Sequence, residues 1–402
     1  MRFRPVLLLA ILATVTSCSG DAGVGQIPAP TSGGEPSTPS STAKTPTTPG
    51  FKIETVAGGL QHGWDIGFLP DGKVLISERP ARLTLLSSAQ PGATATRVQA
   101  DLGDVLVRGE GGLMGMAIHP DFASSRQFTT CQTHKQGDRA VDIRLVTWRL
   151  SDDGASATKV RDLLTGLPVN PSGRHSGCRP TMAPDGFLLV GTGDTASDPR
   201  IPQNRNSLGA KVLRIDLTTG RPAPGNPFPD SPVLTFGHRN IQGVAVRPDS
   251  DQVFTAEHGP TKNDEVNLIK PGANYGWDPS RGGANRSGYD ESVPMTDQQR
   301  FPDAVPAIWQ SGETTEAICA ATFLHGDQWG TYNGALVITA LKGAKVLIMN
   351  LDQAGAVASV AIPPEFQDQF GRLRAARTAP DGTLYLTTTN GDDDKLLRVT
   401  PQ

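Results

Sequence analysis

The sequence predicts an all-β fold, a closed ring of six blades with four antiparallel strands each, on three observations. Short turn sequences, usually Pro-Asp, recur along the chain, and each is followed by a short apolar run. The turn aspartates at positions 71, 121, 185, 249 and 381 are 50, 64, 64 and 132 residues apart, and a unit of this length suits four short strands with their loops. Gly (45) and Pro (33) are abundant and no long amphipathic period is present, which is typical of short strands joined by tight turns.

Six turns divide the chain into the predicted blades. They are Pro70-Asp71-Gly72, Pro120-Asp121, Pro184-Asp185-Gly186, Pro248-Asp249, Pro380-Asp381-Gly382 and a degenerate Tyr332-Asn333-Gly334. The apolar runs at 73–77, 187–191, 252–256 and 383–387 follow such turns and predict the second strand of a blade. The run before a turn, such as 243–246, predicts the innermost strand.

Polar residues recur at one phase of this repeat. Because the first two strands of a blade run antiparallel, the start of the first and the end of the second lie on the same face of the ring. Residues at the starts are His62, Glu110, Arg174, His175, His238, Arg239, Asn240, Arg372 and Arg374, and those at the ends are Glu78, Arg79, Asp194, Glu257, His258 and Asn390. A single polar residue at a strand end is usually just solvated, but the shared phase predicts a site at one mouth of the central channel.

Residues 1–17 have the features of an export signal. Arg2 and Arg4 precede an apolar run that ends near Val15, and a small residue precedes Cys18. This resembles a bacterial lipoprotein signal peptide, in which Cys18 becomes the lipidated first residue; the alternative is an ordinary secretory signal. The run is too short to span a bilayer, so we expect an exported lipoprotein on the extracytoplasmic side of the bacterial cell membrane.

The rest of the chain divides into a tether and one domain. Residues 18–50 are rich in Ser, Thr, Pro and Gly and predict a disordered tether. Residues 51–402 are predicted to form a single ring, since a ring adds core blade by blade. The formal charge is −3, from 37 basic and 40 acidic residues, and no basic run occurs, so we expect no nucleic-acid partner.

Three cysteines lie in the predicted domain. In an oxidising compartment two of them are expected to pair, and Cys131 with Cys178 is favoured because these residues lie in the second and third repeats. Cys319 would then be a buried free thiol. The chain has no Cys-x-x-Cys, so the sequence supports neither a zinc site of that kind nor an attached haem.

Two groups of residues at the predicted mouth suit an acidic cofactor. Arg239, Lys342, Arg372 and Arg374 converge there without matching acids nearby in the sequence, which indicates a polyanionic ligand, although each one alone is more often paired with a surface carboxylate. The Gly259-Pro260 sequence leaves carbonyl oxygens available to a hard cation. An acidic cofactor held through calcium would use both groups.

A series of motifs from residue 51 onward is similar to those of one known family. The motifs are Leu60-Gln61-His62-Gly63-Trp64, Ser77-Glu78-Arg79, Gly109-Glu110-Gly111-Gly112-Leu113, His119-Pro120-Asp121-Phe122, Arg174-His175-Ser176-Gly177, Gly191-Thr192-Gly193-Asp194, Gly237-His238-Arg239-Asn240, Glu257-His258-Gly259-Pro260, Asp264-Glu265, Asn274-Tyr275-Gly276-Trp277, Leu341-Lys342-Gly343 and Gly371-Arg372-Leu373-Arg374. In number and order they resemble the soluble PQQ-dependent aldose dehydrogenases of the glucose/sorbosone dehydrogenase family.

The resemblance implies a six-bladed β-propeller with pyrroloquinoline quinone (PQQ) over the mouth. His175 matches the general base that takes the proton from the sugar C1 hydroxyl while hydride passes to PQQ, and Asp194 matches the residue that orients it. The implied cofactor-binding residues are Arg239, Asn240, Thr315, Lys342, Arg372 and Arg374. Glu110 matches a position near the substrate, and the electrons would pass to an external acceptor.

The resemblance also implies calcium. The carbonyls of Gly259 and Pro260 match ligands of the ion that bridges to the quinone, where calcium acts as Lewis acid and template. A second, structural calcium is expected around Glu265 and Tyr275. Both ions are therefore expectations carried by the family pattern.

The sequence departs from the family pattern and leaves other functions open. Ala317-Ile318-Cys319-Ala320 replaces a common Ala-Pro-Ser-Gly run and Ile241 a common Pro, which affects the fifth-blade wall of the pocket. The first alternative is a catalytically inactive, surface-anchored propeller that acts as a binding module. The second is a calcium-dependent lactonase, which would need several Asn, Asp and Glu at the channel centre and would have little use for the cations.

Overall fold

A computed structural model of the protein describes residues 46–281 and 288–402. The predicted signal peptide, the lipidation site Cys18 and most of the predicted tether lie outside the described residues. Within them, the chain forms six four-stranded antiparallel sheets, which confirms the predicted six-bladed β-propeller. In these same residues no helix is long and apolar enough to cross a membrane.

The strands follow one another blade by blade. The chain begins with β1 (Phe51–Leu60). The first blade contains β2 (Gly63–Phe68), β3 (Val74–Glu78), β4 (Arg82–Leu86) and β5 (Ala95–Val98), and the second contains β6 (Leu113–Ile118), β7 (Gln127–Gln136), β8 (Arg139–Leu150) and β9 (Ala157–Leu167). The third contains β10 (Arg179–Met182), β11 (Leu188–Gly191), β12 (Lys211–Ile215) and β13 (Val233–Phe236), and the fourth contains β14 (Ile241–Val246), β15 (Val253–Glu257), β16 (Glu265–Leu268) and β17 (Trp309–Gln310). The fifth contains β18 (Ile318–Phe323), β19 (Leu336–Ala340), β20 (Lys345–Leu351) and β21 (Val357–Ala361), and the sixth contains β22 (Leu373–Thr378), β23 (Leu384–Thr388) and β24 (Asp394–Pro401). The described helices are α1 (Phe122–Ser125) and the 3-10 segments Asp327–Tyr332 and Pro364–Phe366.

The six predicted turns join the first and second strands of the blades. In the first blade the Leu69 N–H donates to the Lys73 carbonyl at 2.9 Å, and the Gly72 N–H donates to the Leu69 carbonyl at 3.0 Å. Gly72 and Gly382 both have a φ of 83°, a backbone conformation that favours glycine. Each predicted second strand begins one residue before the observed one, because the turn takes one more residue than the apolar run suggests.

The ring is closed by its two ends. β1 pairs antiparallel with β24, from Phe51 opposite Pro401 to Leu60 opposite Asp394, and so completes the sixth blade as its outer strand. The Phe51 ring lies 5.3 Å from that of Phe366 and 5.9 Å from that of Tyr332, centroid to centroid. The N-terminal strand therefore anchors the last blade to the fifth.

Covalent and ionic links connect other blades. Cys131 in β7 and Cys178, just before β10, form a disulfide, whereas Cys319 is a free, buried thiol. In the channel, Asp65 of β2 accepts hydrogen bonds from Arg377 Nε at 3.0 Å and Nη2 at 2.9 Å, and Arg179 Nη1 lies 2.8 Å from its Oδ1. Burial raises the pKa of Asp65, but the charges of Arg179 and Arg377 outweigh burial and hold this pKa below its usual value. This ion triad ties together blades one, three and six.

We expect Phe51→Ala to lower the free energy of unfolding by about 3–5 kcal/mol, because it removes a buried ring at the seam that closes the propeller. Urea denaturation followed by tryptophan fluorescence measures the change. Val160→Ala is the control, since Val160 is 43% exposed on β9 and its loss should cost less than about 0.5 kcal/mol. Equal effects of the two substitutions would contradict the role of the seam.

We expect Asp65→Asn to destabilise the protein by about 3 kcal/mol at pH 7, because it leaves Arg179 and Arg377 buried without a counter-charge. The folded pKa of Asp65 is depressed, so its stabilisation is present above the ordinary carboxyl pKa and is lost as pH falls through the folded value. Denaturation at pH 7 and at pH 3 should therefore give a smaller difference between variant and wild type in acid. A difference that does not change with pH would rule out the ion triad as its source.

Candidate active site

The inner strands share a feature that turns side chains into the channel. In five of the six blades the pairing of the first and second strands shifts register near the start of the inner strand. The shifts lie between Gly63 and Asp65, Leu113 and Met116, Ile241 and Gly243, Ile318 and Ala321, and Leu373 and Ala376. Such bulges take a residue out of the ladder and re-aim its side chain. Residues of different blades consequently meet across the mouth of the channel.

His175 and Asp194 form the central pair of the site. His175 precedes β10 and Asp194 follows β11, and His175 Nδ1 lies 2.7 Å from Asp194 Oδ1. Burial raises the pKa of Asp194, but the contact with His175 and the charge of Arg239 lower it below the usual value. The ionised carboxylate accepts the Nδ1 proton, which leaves the lone pair of the imidazole on Nε2. His175 is thus held with its free ring nitrogen at Nε2.

Two aromatic residues hold the other oxygen of Asp194. Trp277 Nε1 donates to Oδ2 at 2.8 Å, and the Tyr289 hydroxyl donates to the same atom at 2.7 Å. The Tyr289 ring also lies 6.4 Å from that of His175, centroid to centroid. These contacts leave the carboxylate little freedom to rotate. The connection between β16 and β17, which contains Trp277 and Tyr289, therefore determines the orientation of the imidazole through Asp194.

Glu110 lies next to this pair. Its Oε1 accepts the backbone N–H of His175 at 3.2 Å, and its Oε2 accepts Asn240 Nδ2 at 3.0 Å and Gln242 Nε2 at 3.1 Å. Burial raises the pKa of Glu110, but the neighbouring imidazoles of His175 and His258 and the bond from Asn240 bring it below the usual value. Glu110 therefore presents an ionised, acceptor-only group beside the base.

Arginines surround the same mouth. Arg239 is buried, with Nη1 donating to the His258 carbonyl at 2.9 Å and Nη2 to Glu291 at 2.7 Å. Arg374 is buried too, whereas Arg372 is exposed and lies just before β22, so the two side chains do not share one strand face, although their i, i+2 spacing would place them on one face of a regular strand. Partial burial of its guanidinium and the charge of Arg374 lower the pKa of Arg372.

Asp264 connects residues of the site at the boundary between the fourth and fifth blades. Its Oδ1 accepts the Gly259 N–H and the Thr315 hydroxyl, each at 2.8 Å, and its Oδ2 accepts the Glu316 N–H at 2.6 Å. The Lys342 N–H donates to the Glu316 carbonyl at 3.0 Å. The exposed Lys342 side chain has no hydrogen bond or ion pair within the described parts of the chain. The structure thus brings Gly259, Thr315 and Lys342 together.

The predicted metal positions differ in their surroundings. Within the described ranges, the carbonyl oxygens of Gly259 and Pro260 accept no hydrogen bond, which leaves them free for a cation. Glu265 lies opposite Glu257 in the β15–β16 pair, and burial together with Glu257 raises the pKa of Glu265 to about 8. The Tyr275 hydroxyl instead donates to the Leu268 carbonyl at 2.7 Å. The described residues contain no cluster of three or more His, Cys, Asp or Glu side chains able to hold a metal, so both calcium ions stay predictions.

Sequence reasoning gave no role to four residues of the site. Trp277 and Gln242 lie within or beside motifs that were recognised, and Gln242 follows Asn240 at the shared repeat phase. Tyr289 and Glu291 belong to the long connection between β16 and β17, which carries no turn or strand pattern that would place it. Glu291 pairs with Arg239 and, at 2.9 Å, with Arg174.

Comparison with known proteins gives one family. The sequence model of the family described as Glucose / Sorbosone dehydrogenase matches residues 60–398. The aldose sugar dehydrogenase YliI of Escherichia coli is 30% identical over 362 residues, which are 87% of this chain and 93% of the relative. Quinoprotein glucose dehydrogenase B of Acinetobacter calcoaceticus is 30% identical over 281 residues, 63% of this chain and 58% of the relative. The solved PQQ-bound aldose sugar dehydrogenase of Streptomyces coelicolor is 29% identical with a TM-score of 0.70, over 89% of this chain and 100% of that chain. The chain therefore belongs to the glucose/sorbosone dehydrogenase family of sugar dehydrogenases.

Proposed function

We propose that the protein is a PQQ-dependent quinoprotein that oxidises the C1 hydroxyl of an aldose to the lactone and passes the electrons to an external acceptor. The observation that carries the proposal is the His175–Asp194 pair, 2.7 Å apart, at the mouth where Arg239 and Arg374 also lie. Family membership supports a sugar substrate, and the S. coelicolor relative was solved with PQQ bound.

The mouth suits an acidic, acceptor-rich cofactor. Three buried nitrogens, Arg239 Nε, Arg374 Nε and His258 Nε2, have no hydrogen-bond partner in the described part of the chain. Carboxylate and quinone oxygens are the acceptors that such donors match. The residues that would hold PQQ are Arg239, Asn240, Thr315, Lys342, Arg372 and Arg374. Bound PQQ supplies a quinone that accepts a hydride.

His175 acts as the general base of the proposed reaction. Its Nε2 takes the proton of the C1 hydroxyl as the hydride leaves C1, so that the C1–O bond becomes the carbonyl of the lactone. Asp194 stabilises the imidazolium that forms, because it already holds the Nδ1 proton. Glu110, as an ionised acceptor, orients a second sugar hydroxyl beside the base.

Calcium belongs to the same proposal. The free carbonyls of Gly259 and Pro260 are hard oxygen ligands of the kind that calcium takes, and Asp264, which is buried beside them, adds negative charge. These groups would hold the ion, which would supply Lewis-acid chemistry to the bound cofactor.

We also propose that the protein is an exported lipoprotein anchored through Cys18 on the extracytoplasmic side of the membrane. The N-terminal sequence supports it, with two arginines, a short apolar run and a small residue before Cys18. Export agrees with the disulfide between Cys131 and Cys178.

We expect the purified protein to bind PQQ in the presence of calcium and to reduce a dye when an aldose is added. His175→Ala should lower kcat by about 10²–10⁴-fold while PQQ binding is kept, because the substitution removes the base and none of the cofactor-binding residues. Fluorescence titration measures binding, and dye reduction over a panel of aldoses measures turnover. His325→Ala is the control for loss of an imidazole, since His325 lies at the opposite end of the ring beside the β22–β23 turn. Absence of PQQ binding by the wild type would overturn the proposal.

We expect Glu291→Gln to bind PQQ about fivefold more tightly than the wild type, because the Glu291 carboxylate pairs with Arg239 and competes with an anionic cofactor. Titration of the apo-protein with PQQ at low and high salt measures this. Glu313→Gln is the matched control, since Glu313 is an exposed carboxylate 3.4 Å from Lys262 and has no contact with Arg239. Unchanged or weaker binding by Glu291→Gln would show that Glu291 does not compete with the cofactor.

A further inference from the structure

Gln242 occupies a fixed position between the two sides of the mouth. It is the second residue of β14, at the point where the pairing with β15 shifts register between Ile241 and Gly243. Its side chain is buried, and its backbone carbonyl accepts a hydrogen bond from Arg179 Nε at 2.7 Å. The bulge and the arginine together hold the residue so that its amide lies in the channel.

The amide of Gln242 joins groups from three other blades. Its Oε1 accepts Arg374 Nη1 at 2.9 Å and the thiol of Cys319 at 3.3 Å, while its Nε2 donates to Glu110 Oε2 at 3.1 Å. A guanidinium only donates and an ionised carboxylate only accepts, so the orientation of the amide is determined by its partners. Cys319, which departs from the family pattern, adds a second donor to the same oxygen.

This arrangement keeps two opposite charges apart. A direct ion pair between Arg374 and Glu110 would bring the two charges into contact and occupy N–H donors of the guanidinium. A neutral amide between them lets the positive charge of Arg374 polarise the N–H that Glu110 receives. It also leaves the buried Arg374 Nε without a hydrogen-bond partner among the described residues.

We propose that Gln242 is a positioning residue that couples the cofactor side of the mouth, at Arg374, to the substrate side, at Glu110. The inference rests on the proposed function, since it assigns PQQ to Arg374 and the sugar to Glu110. An anionic group bound at Arg374 weakens the hydrogen bond from the guanidinium to Gln242 Oε1. The strength of the hydrogen bond that Gln242 Nε2 donates to Glu110 changes as a result.

Two substitutions of Gln242 separate coupling from simple packing. Gln242→Met keeps the volume and removes the three hydrogen bonds of the amide, so the apo-protein should bind PQQ about tenfold more weakly, as measured by fluorescence titration. Gln242→Glu keeps the shape but places a negative charge against Arg374 and Glu110, so PQQ should bind more weakly still. Thermal unfolding of each apo-protein is measured in parallel, because a purely structural role predicts that affinity follows stability.

The substrate side gives a second readout. In the PQQ-loaded enzyme, Gln242→Met should raise KM for the aldose severalfold with little change in kcat, because the contact between His175 and Asp194 does not involve Gln242. A double-mutant cycle with Glu110→Gln should be non-additive in KM. Thr181→Val is the matched control, since the Thr181 hydroxyl donates to the Val244 carbonyl of the same strand β14 at 3.0 Å but touches neither Arg374 nor Glu110.

The outcomes distinguish this inference from the proposed function. The coupling is supported if PQQ affinity decreases from the wild type to Gln242→Met and further to Gln242→Glu, while Thr181→Val stays close to wild type. Wild-type binding and KM in both Gln242 variants, or affinities that follow thermal stability across the set including Thr181→Val, would overturn it while the proposed function stands. If the wild type itself binds no PQQ, the proposed function fails and the coupling fails with it.

Discussion

The site depends on the closure of the ring by the pairing of β1 with β24. That pairing holds the first and sixth blades next to each other, and the contacts between them in the channel depend on it. Arg377 of the sixth blade reaches Asp65 of the first, and Arg374 lies 5.4 Å from the centroid of the Trp64 ring. The geometry of the mouth is therefore a consequence of the seam rather than of any single blade.

Closure brings the inner strands together, but the bulges decide which side chains enter the channel. A regular strand alternates its side chains between two faces, which would turn every second residue into the inter-blade core. At the register shift after Ile241, Gln242 leaves the ladder and reaches Arg374 instead. The third blade shows no shift between β10 and β11, and there His175 is presented by the segment before the strand, at a φ of 47°. The proposed base and the proposed positioning residue thus reach the channel in different ways, one from a segment before a strand and the other from a bulge.

The sequence was sufficient to predict the blades and much of the site, because the turns and the polar residues near them recur together along the chain. The turn at Asp185 predicted the place of His175 and Asp194 on one face, and these two residues are in contact in the structure. The role of β1 was not predictable in this way, since its partner β24 lies at the other end of the chain and the strand pattern does not name a partner. Tyr289 and Glu291 could not be placed either, because their loop has no periodicity and owes its position to Asp194, Arg239 and Arg174.

The charges of Asp194 and Glu110 at the mouth depend on the protein groups that surround each carboxylate. Burial alone would raise the pKa of Asp194 and Glu110 and favour their protonated forms, in which a carboxyl group can donate. Hydrogen bonds from Trp277 and Tyr289 to Asp194, and from Asn240 and Gln242 to Glu110, replace water around the charges. The contact with His175 and the charge of Arg239 lower the pKa of Asp194, and the imidazoles of His175 and His258 with the bond from Asn240 lower the pKa of Glu110, so both groups act as acceptors. Asp194, as an acceptor, keeps the proton of His175 on Nδ1, so the lone pair of the proposed base lies on Nε2. Trp277 and Tyr289 hold Asp194 in place. Two aromatic residues with no part in the proposed proton transfer therefore determine which nitrogen of His175 can accept a proton.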